Sequence, residues 1–218
     1  AEDEPMPSNR KPTKSRWVYT VKYNKDGTVD RFKARFVVCG YSQVQGVDYD
    51  RAFSATLRGT SFRTLLAIAS EHGLSLEQMD VTNAFTQADI DGVEIFVDPP
   101  PGYATYDSSG KPKPIKLKKA LYGTKQASRL WQQELRRFLV DKQGFIQSVS
   151  EPCLYSKESA NGHRIIVAVY VDDIIVAYAN QFDFESFKKD FMRKFRSKHL
   201  GPLEWFLGVA IEKKANGY

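Results

Sequence analysis

Cysteine is scarce in this sequence: its 218 residues hold two, Cys39 and Cys153. They lie far apart without the spacing of metal ligands, which argues against a disulfide framework or a zinc site. Both are expected to be small core residues in a reducing compartment. No apolar run reaches the roughly 18 residues of a membrane span. The opening Ala1-Glu2-Asp3-Glu4-Pro5 has the wrong chemistry for a signal peptide, so a soluble, intracellular chain is expected. Internal repeats, a Walker-type phosphate loop and a Ser-His-Asp grouping are also missing, which leaves those architectures and chemistries aside. What is present is apolar material for a full core, 42% of residues, and an excess of cations, 32 Lys and Arg against 26 Asp and Glu. The net charge of +6 permits a polyanionic partner without demanding one.

The stretch around which the rest is organised is 165–178, where two β-branched runs flank Asp172 and Asp173. Such runs predict strands. Adjacent acids make sense in a period-two pattern only at a tight turn, so a hairpin with acid at its tip is expected. Carboxylates among so much Ile and Val are costly unless solvated, hydrogen-bonded or neutralised. Magnesium, which takes a few carboxylates plus substrate phosphates, is the natural cation. Taken alone, the pair is explained more simply as an ordinary turn, where Asp is common.

Residues 1–15 read as a flexible lead-in. Trp17, Tyr19, Val21 and Tyr23 then alternate as a strand, and Asn24-Lys25-Asp26-Gly27 supplies a turn. On the return strand Phe32, Ala34, Phe36 and Val38 share one face and Arg31, Lys33 and Arg35 the other. That row of cations is either a solvated outer face or a phosphate-binding one. The turn-rich segment 40–60 has no legible role. A helix is predicted over 61–72, capped by Thr60 or Ser61 and ended by Gly73. Residues 74–81 alternate as a strand that delivers Asp80 at its far end, as a helix cap or as a site residue.

Residues 93–98 are a further strand candidate, stopped by Pro99-Pro100-Pro101-Gly102, and 103–114 an exposed loop. Residues 116–129, the most basic segment, are either a charged surface run or an anion-binding one. Trp131, Leu135, Phe138 and Leu139 mark a helix face that should pack under the sheet. A short strand around Cys153 and a turn at Asn161-Gly162 lead into the central hairpin. Asp183 is expected to cap a helix whose Phe184, Phe187, Phe191 and Phe195 form a core stripe. Trp205 to Ile211 reads as a last strand pair or hairpin after Gly201-Pro202.

This order predicts an α+β fold, an antiparallel sheet backed on one face by helices. In such a sheet Asp80 and Asp172 can lie side by side, where they would repel unless cations shared them. Two magnesium ions about 4 Å apart are the known arrangement for in-line displacement at phosphorus, so the physics points to phosphoryl or nucleotidyl transfer.

Several blocks carry the reading further. They are Arg31-Phe32-Lys33-Ala34-Arg35-Phe36-Val37; Gly46-Val47-Asp48-Tyr49 with Phe53-Ser54; and Asp80-Val81 with Ala84-Phe85. Lys119-Ala120-Leu121-Tyr122-Gly123 with Lys125-Gln126-Ala127, Tyr170-Val171-Asp172-Asp173, and Phe206-Leu207-Gly208 complete the set. Together and in this order, from about Trp17 to Ile211, they resemble the reverse transcriptase of copia-type long-terminal-repeat retrotransposons. The resemblance implies a right-hand polymerase palm with a ferredoxin-like core and a partial fingers subdomain. Residues 16–78 would be fingers-like and 79–211 palm-like, with 103–130 contributing to fingers and 212–218 a tail. The thumb, connection and RNase H regions of a parent polyprotein would lie outside the chain.

The implied activity is an RNA-directed and DNA-directed DNA polymerase, acting with an RNA template, a DNA primer strand, dNTPs and two Mg2+ ions (Mn2+ as a substitute). It would work in a cytoplasmic particle or the nucleus, with no membrane. Asp80 and Asp172 would hold the metals with help from the Val81 carbonyl, and Asp173 would be the third acid. One ion would lower the pKa of the primer 3′-hydroxyl and the other would stabilise the leaving pyrophosphate. Lys33 and Arg35 would clasp the triphosphate. Phe85, with Ala84 before it, would crowd a ribose 2′-hydroxyl, and Gly123 would border the nascent base pair. Tyr170 and the Phe206-Leu207-Gly208 turn would meet primer and template. Ser128 departs from a typical proline, and Thr86-Gln87-Ala88 from a Leu-Asn-Gly type run. The alternatives are a catalytically inactive domain that only binds nucleic acid, and an RNA-binding ferredoxin-like sheet, which lacks the expected pair of exposed aromatics.

Overall fold

The computed structural model describes residues 6–24, 26–90, 92–159, 162–214 and 217–218. Lys25 of the first expected turn, Asn161 of the second and the first five residues of the lead-in lie outside them. Along the chain run β1 (Ser15–Tyr23), β2 (Val29–Val38), α1 (Gly59–Glu71), β3 (Ser75–Val81), β4 (Phe96–Val97) and β5 (Ile115–Lys116). Helix α2 (Ala127–Arg136) continues as a π turn over Arg137–Lys142. Then come β6 (Ile146–Gln147), β7 (Leu154–Glu158), β8 (Arg164–Tyr170), β9 (Asp173–Tyr178), α3 (Gln181–Lys194), β10 (Ser197–Pro202), β11 (Trp205–Phe206) and β12 (Val209–Ala210). The chain divides into two compact units, Ala1–Phe53 with Ala88–Trp131, and Ser54–Gln87 with Gln132–Tyr218.

The first unit carries the β1–β2 ribbon. Its register sets Val18, Thr20 and Lys22 opposite Arg35, Lys33 and Arg31, and Trp17, Tyr19 and Val21 opposite Phe36, Ala34 and Phe32. Opposed residues share a face, so the cationic row and the apolar row separate as expected. The apolar row is not a core face along its length: Phe32 is 82% exposed, and only the base, at Phe36 and Val38, joins a cluster with Ile95, Val97 and Leu121. Residues 6–15 are tied down where a loose lead-in was expected. Thr13 is buried and bridges Val97, and Arg10 pairs with the Asp48 carboxylate at 2.8 Å.

The second unit holds a six-stranded antiparallel sheet in the order β10-β3-β9-β8-β7-β6. Its two central hairpin strands β8 and β9 follow one another directly, and β9 is joined to the edge strand β10 through α3. Along β9 the side chains of Ile175 and Ala177 meet Phe62, Leu65 and Ala69 of α1, while Tyr178, on the other face, stacks on Phe184 of α3 at 4.5 Å. Helices therefore cover both faces, where one was expected, because α1 belongs to this sheet rather than to the β1–β2 ribbon. The Phe184, Phe187, Phe191 and Phe195 stripe is buried as expected, with Phe191 and Phe195 edge-on to Phe138. Both cysteines are buried, and burial with the Glu151 charge pushes the Cys153 thiol up to about 12. No helix among the described residues is long and apolar enough to cross a membrane.

Candidate active site

Strands β8 and β9 pair through Tyr170 and Asp173, which leaves Val171-Asp172 as a two-residue hairpin loop. Asp172 is the acid at the tip, and Asp173 is the first residue of β9. On the other edge of β9, Asp173 stands opposite Asp80 of β3. The Val81 N–H donates to the Asp172 carbonyl at 2.8 Å, which fixes the loop against the end of β3. The hydrophobic runs of three strands thus deliver three acids to one end of the sheet, all partly buried.

Opposed residues of paired strands share a face, so β10, β3, β9 and β8 present a single row: Lys198, Asp80, Asp173 and Tyr170. Asp173 is held from within this face, where Gln78 Nε2 donates to its Oδ1 at 3.1 Å. Burial pushes the Asp173 carboxyl above the usual carboxylate range. The Gln78 hydrogen bond opposes that, and the charges of Asp172 and Asp80 add to it.

Among the described residues no group of three or more His, Cys, Asp or Glu side chains is arranged to hold a metal ion. A hard ion that takes one or two carboxylates and completes its shell with water and phosphate does not need three. Asp80 and Asp172, with the Val81 carbonyl, supply hard oxygens of that kind. The repulsion felt by Asp173 is the local charge excess that a cation would relieve.

Ala84 is fully buried and Phe85 half-buried in a 3-10 turn over Ala84–Gln87 that follows β3 directly. Phe206 is buried against Phe62 at 4.7 Å and Tyr170 at 6.2 Å, so its ring packs inward, and Leu207-Gly208 form the exposed turn between β11 and β12. In the first unit Lys33 and Arg35 lie on the cationic face of β2, with the Arg35 guanidinium 5.8 Å from the centre of the Tyr122 ring. Gly123 has φ +90°, and a Cβ there would sit 2.0 Å from the Val38 carbonyl oxygen. Only glycine permits that approach, so Gly123 first of all joins its loop to the end of β2.

The family whose sequence model matches residues 4–218 is described as Reverse transcriptase (RNA-dependent DNA polymerase). The chain belongs to the reverse transcriptase family. It is 35% identical, over 96% of its length, to the Retrovirus-related Pol polyprotein from transposon TNT 1-94 of Nicotiana tabacum. Over 98% of its length it is 36% identical to the one from transposon RE1 of Arabidopsis thaliana. These matches bear out the expected kinship with copia-type elements. The chain spans only 15% and 14% of those two polyproteins.

Within this reverse transcriptase domain several residues escaped the sequence reading. Gln78 lies two positions before Asp80 on a strand, hence on its face, and period two alone could have found it. Lys198 could not be found, because Ser-Lys-His-Leu-Gly-Pro carries no strand pattern. Gln87 clamps the chain entering β10. Its amide bonds the Arg196 N–H at 2.8 Å and the Arg196 carbonyl at 2.9 Å. The Gly46-Val47-Asp48-Tyr49 and Lys125-Gln126-Ala127 blocks are revealed as partners. Gln126 donates to the Asp48 carbonyl at 2.8 Å and accepts from Gln43, whose Oε1 takes the Lys125 N–H at 2.7 Å.

Proposed function

We propose that this chain is the catalytic core of an RNA-directed DNA polymerase that adds dNTPs to a primer 3′-hydroxyl paired to an RNA template, within a retrotransposon Pol polyprotein. The observation that carries the reading is the juxtaposition of Asp80 with Asp173 across β3 and β9, and of Asp172 in the adjoining turn. Asp80 and Asp172, with the Val81 carbonyl, are the residues that would hold two Mg2+ ions. Those ions, when bound, supply positive charge to the attacking hydroxyl and to the leaving pyrophosphate. Asp173, anchored by Gln78, keeps the third negative charge beside them. Lys33 and Arg35 neutralise the triphosphate, and their place on a ribbon rather than a loop fixes the spacing of the two charges. Phe85, next to buried Ala84 in a tight 3-10 turn, crowds the sugar 2′ position. Tyr170 braces the acidic turn on Phe206, whose hairpin offers Leu207 and Gly208 to the primer end.

Primer extension on an RNA template with Mg2+ tests this. Asp80→Asn and Asp172→Asn are expected to lower extension by at least ~100-fold, the scale set by loss of an electrostatic catalytic group, with the melting profile kept. Extension at wild-type rate by either variant would remove that acid from the site. Salt-sensitive binding with no extension by the unaltered chain would leave a nucleic-acid-binding domain.

A further inference from the structure

The acidic row ends on a cation. Strand β10 pairs with the outer edge of β3 so that Lys198 stands opposite Asp80, and Asp80 stands opposite Asp173. Opposed residues share a face with their Cβ atoms about 4.5–5.5 Å apart. The other acid of β3 near this edge, Glu77, lies on the reverse face, where its carboxylate is 2.8 Å from His199 Nε2. Each face of the β3–β10 ladder therefore sets its own basic residue against its own acid. The Gln87 amide holds the backbone at Arg196, two residues before Lys198, and fixes the register that brings the lysine there. Lys198 itself is exposed on an edge strand, so its ammonium stays hydrated and can swing away on its flexible stem.

We propose that Lys198 is the resident counter-cation of the acidic row. Its charge offsets Asp80 and Asp173 while no divalent ion is bound, and it competes with the ion that binds there. The first half stands on the register alone, and the second rests on the metal-binding role proposed above. A unit charge about 6 Å away in the screened environment of a surface site changes ion affinity by about threefold to tenfold. Metal-free stability and metal affinity should thus move in opposite directions when Lys198 loses its charge.

The test uses the full chain with Lys198→Met, Lys198→Arg, Asp80→Asn and the Lys198→Met/Asp80→Asn pair. Melting in EDTA reads the metal-free site, and titration with Mn2+ alone reads affinity. Lys198→Met is expected to melt about 2–4 °C lower than wild type in EDTA, and to melt no lower than Asp80→Asn once that acid is neutralised. It should also bind Mn2+ about threefold to tenfold more tightly, while Lys198→Arg behaves as wild type on both readouts. If Lys198→Met matches wild type in melting and in Mn2+ affinity, the counter-cation role is overturned while the metal site stands. If the melting coupling to Asp80 is present but no form binds Mn2+, the counter-cation role is supported and the metal reading fails. A loss of melting temperature that is equal with and without Asp80 assigns Lys198 to strand packing and overturns the proposal.

Discussion

Val171 takes φ +57° in the two-residue loop between Tyr170 and Asp173. A β-branched residue in the left-handed region is an outlier, because its Cβ crowds the neighbouring carbonyl, and such strain persists only where surrounding structure enforces it. Here the enforcement is visible. Tyr170 is braced on Phe206, Asp173 is bonded by Gln78, and the Asp172 carbonyl is bonded by Val81, so both ends of the loop are pinned. Glycine adopts this φ freely, at an entropic cost of roughly 0.5–1 kcal/mol, against strain of about 1–3 kcal/mol. Val171→Gly should therefore stabilise the chain by about 1 kcal/mol, read as a higher urea midpoint at unchanged slope. A lower midpoint would mean that the valine side chain contributes more by packing than the strain takes away. Leu207, at φ +48° in the β11–β12 turn, and Asn83, at φ +52°, are the other non-glycine residues in this region among the described residues, both on the same unit.

Helix α1 starts at Arg58 with no side-chain cap from its own sequence. Its first turn is served from 93 residues away by the buried Glu151 carboxylate, which accepts from the Arg58 N–H, from Arg58 Nε at 2.9 Å and from the Ser61 hydroxyl at 2.8 Å. Burial works to raise the Glu151 pKa, but the bonds from Arg58 and Ser61 outweigh it and leave the group below its ordinary 4.5. A depressed carboxylate contributes stability that is complete above its unfolded value and is lost as pH falls through the folded one. Glu151→Gln should therefore cost about 2 kcal/mol at pH 7, at the low end for buried pairs because the Arg58 side chain is 60% exposed. The gap to wild type should close as pH falls below the ordinary 4.5 and on through the lower folded value; urea midpoints at pH 7 and in acid measure it, and a gap that does not narrow with acid would remove the ionised carboxylate from the account.

Elements with a strong internal period were legible: β3 with Asp80 near its far end, the β8–β9 hairpin, the Phe184 to Phe195 stripe and the 205–210 hairpin. Those decided by a distant partner were not. Ser61, expected as a cap, bonds Glu151. The other cap missed was a local one: Asp183 gives way to Asn180, three residues earlier, whose side chain accepts from Phe182 and Asp183 N–H. Strand β10 exists because β3 offers it an edge. For the candidate site, the acids were legible from their flanking runs, whereas Lys198 and Gln87 were visible only through pairing.

At the scale of the whole chain the excess of cations is modest, +6 over 218 residues, and its placement matters more than its size. Acids are gathered at one end of the six-stranded sheet, while the β1–β2 ribbon of the first unit projects Arg31, Lys33 and Arg35 on one face. A net positive chain that concentrates cations on a rigid ribbon should bind single strands through phosphates, with affinity falling linearly in log salt at a slope of about −0.7 per phosphate neutralised. Replacing Lys33 and Arg35 together by Ala is expected to flatten that slope by about 1.4, one phosphate for each cation, and to weaken binding equally across sequences. Asp172→Asn removes a negative charge from the acidic end and should leave the slope unchanged. Fluorescence anisotropy with a labelled oligonucleotide at several salt concentrations, in EDTA so that ions do not enter, separates the two. A slope that ignores Lys33 and Arg35 but responds to the acids would move the phosphate contacts off the ribbon and onto the sheet.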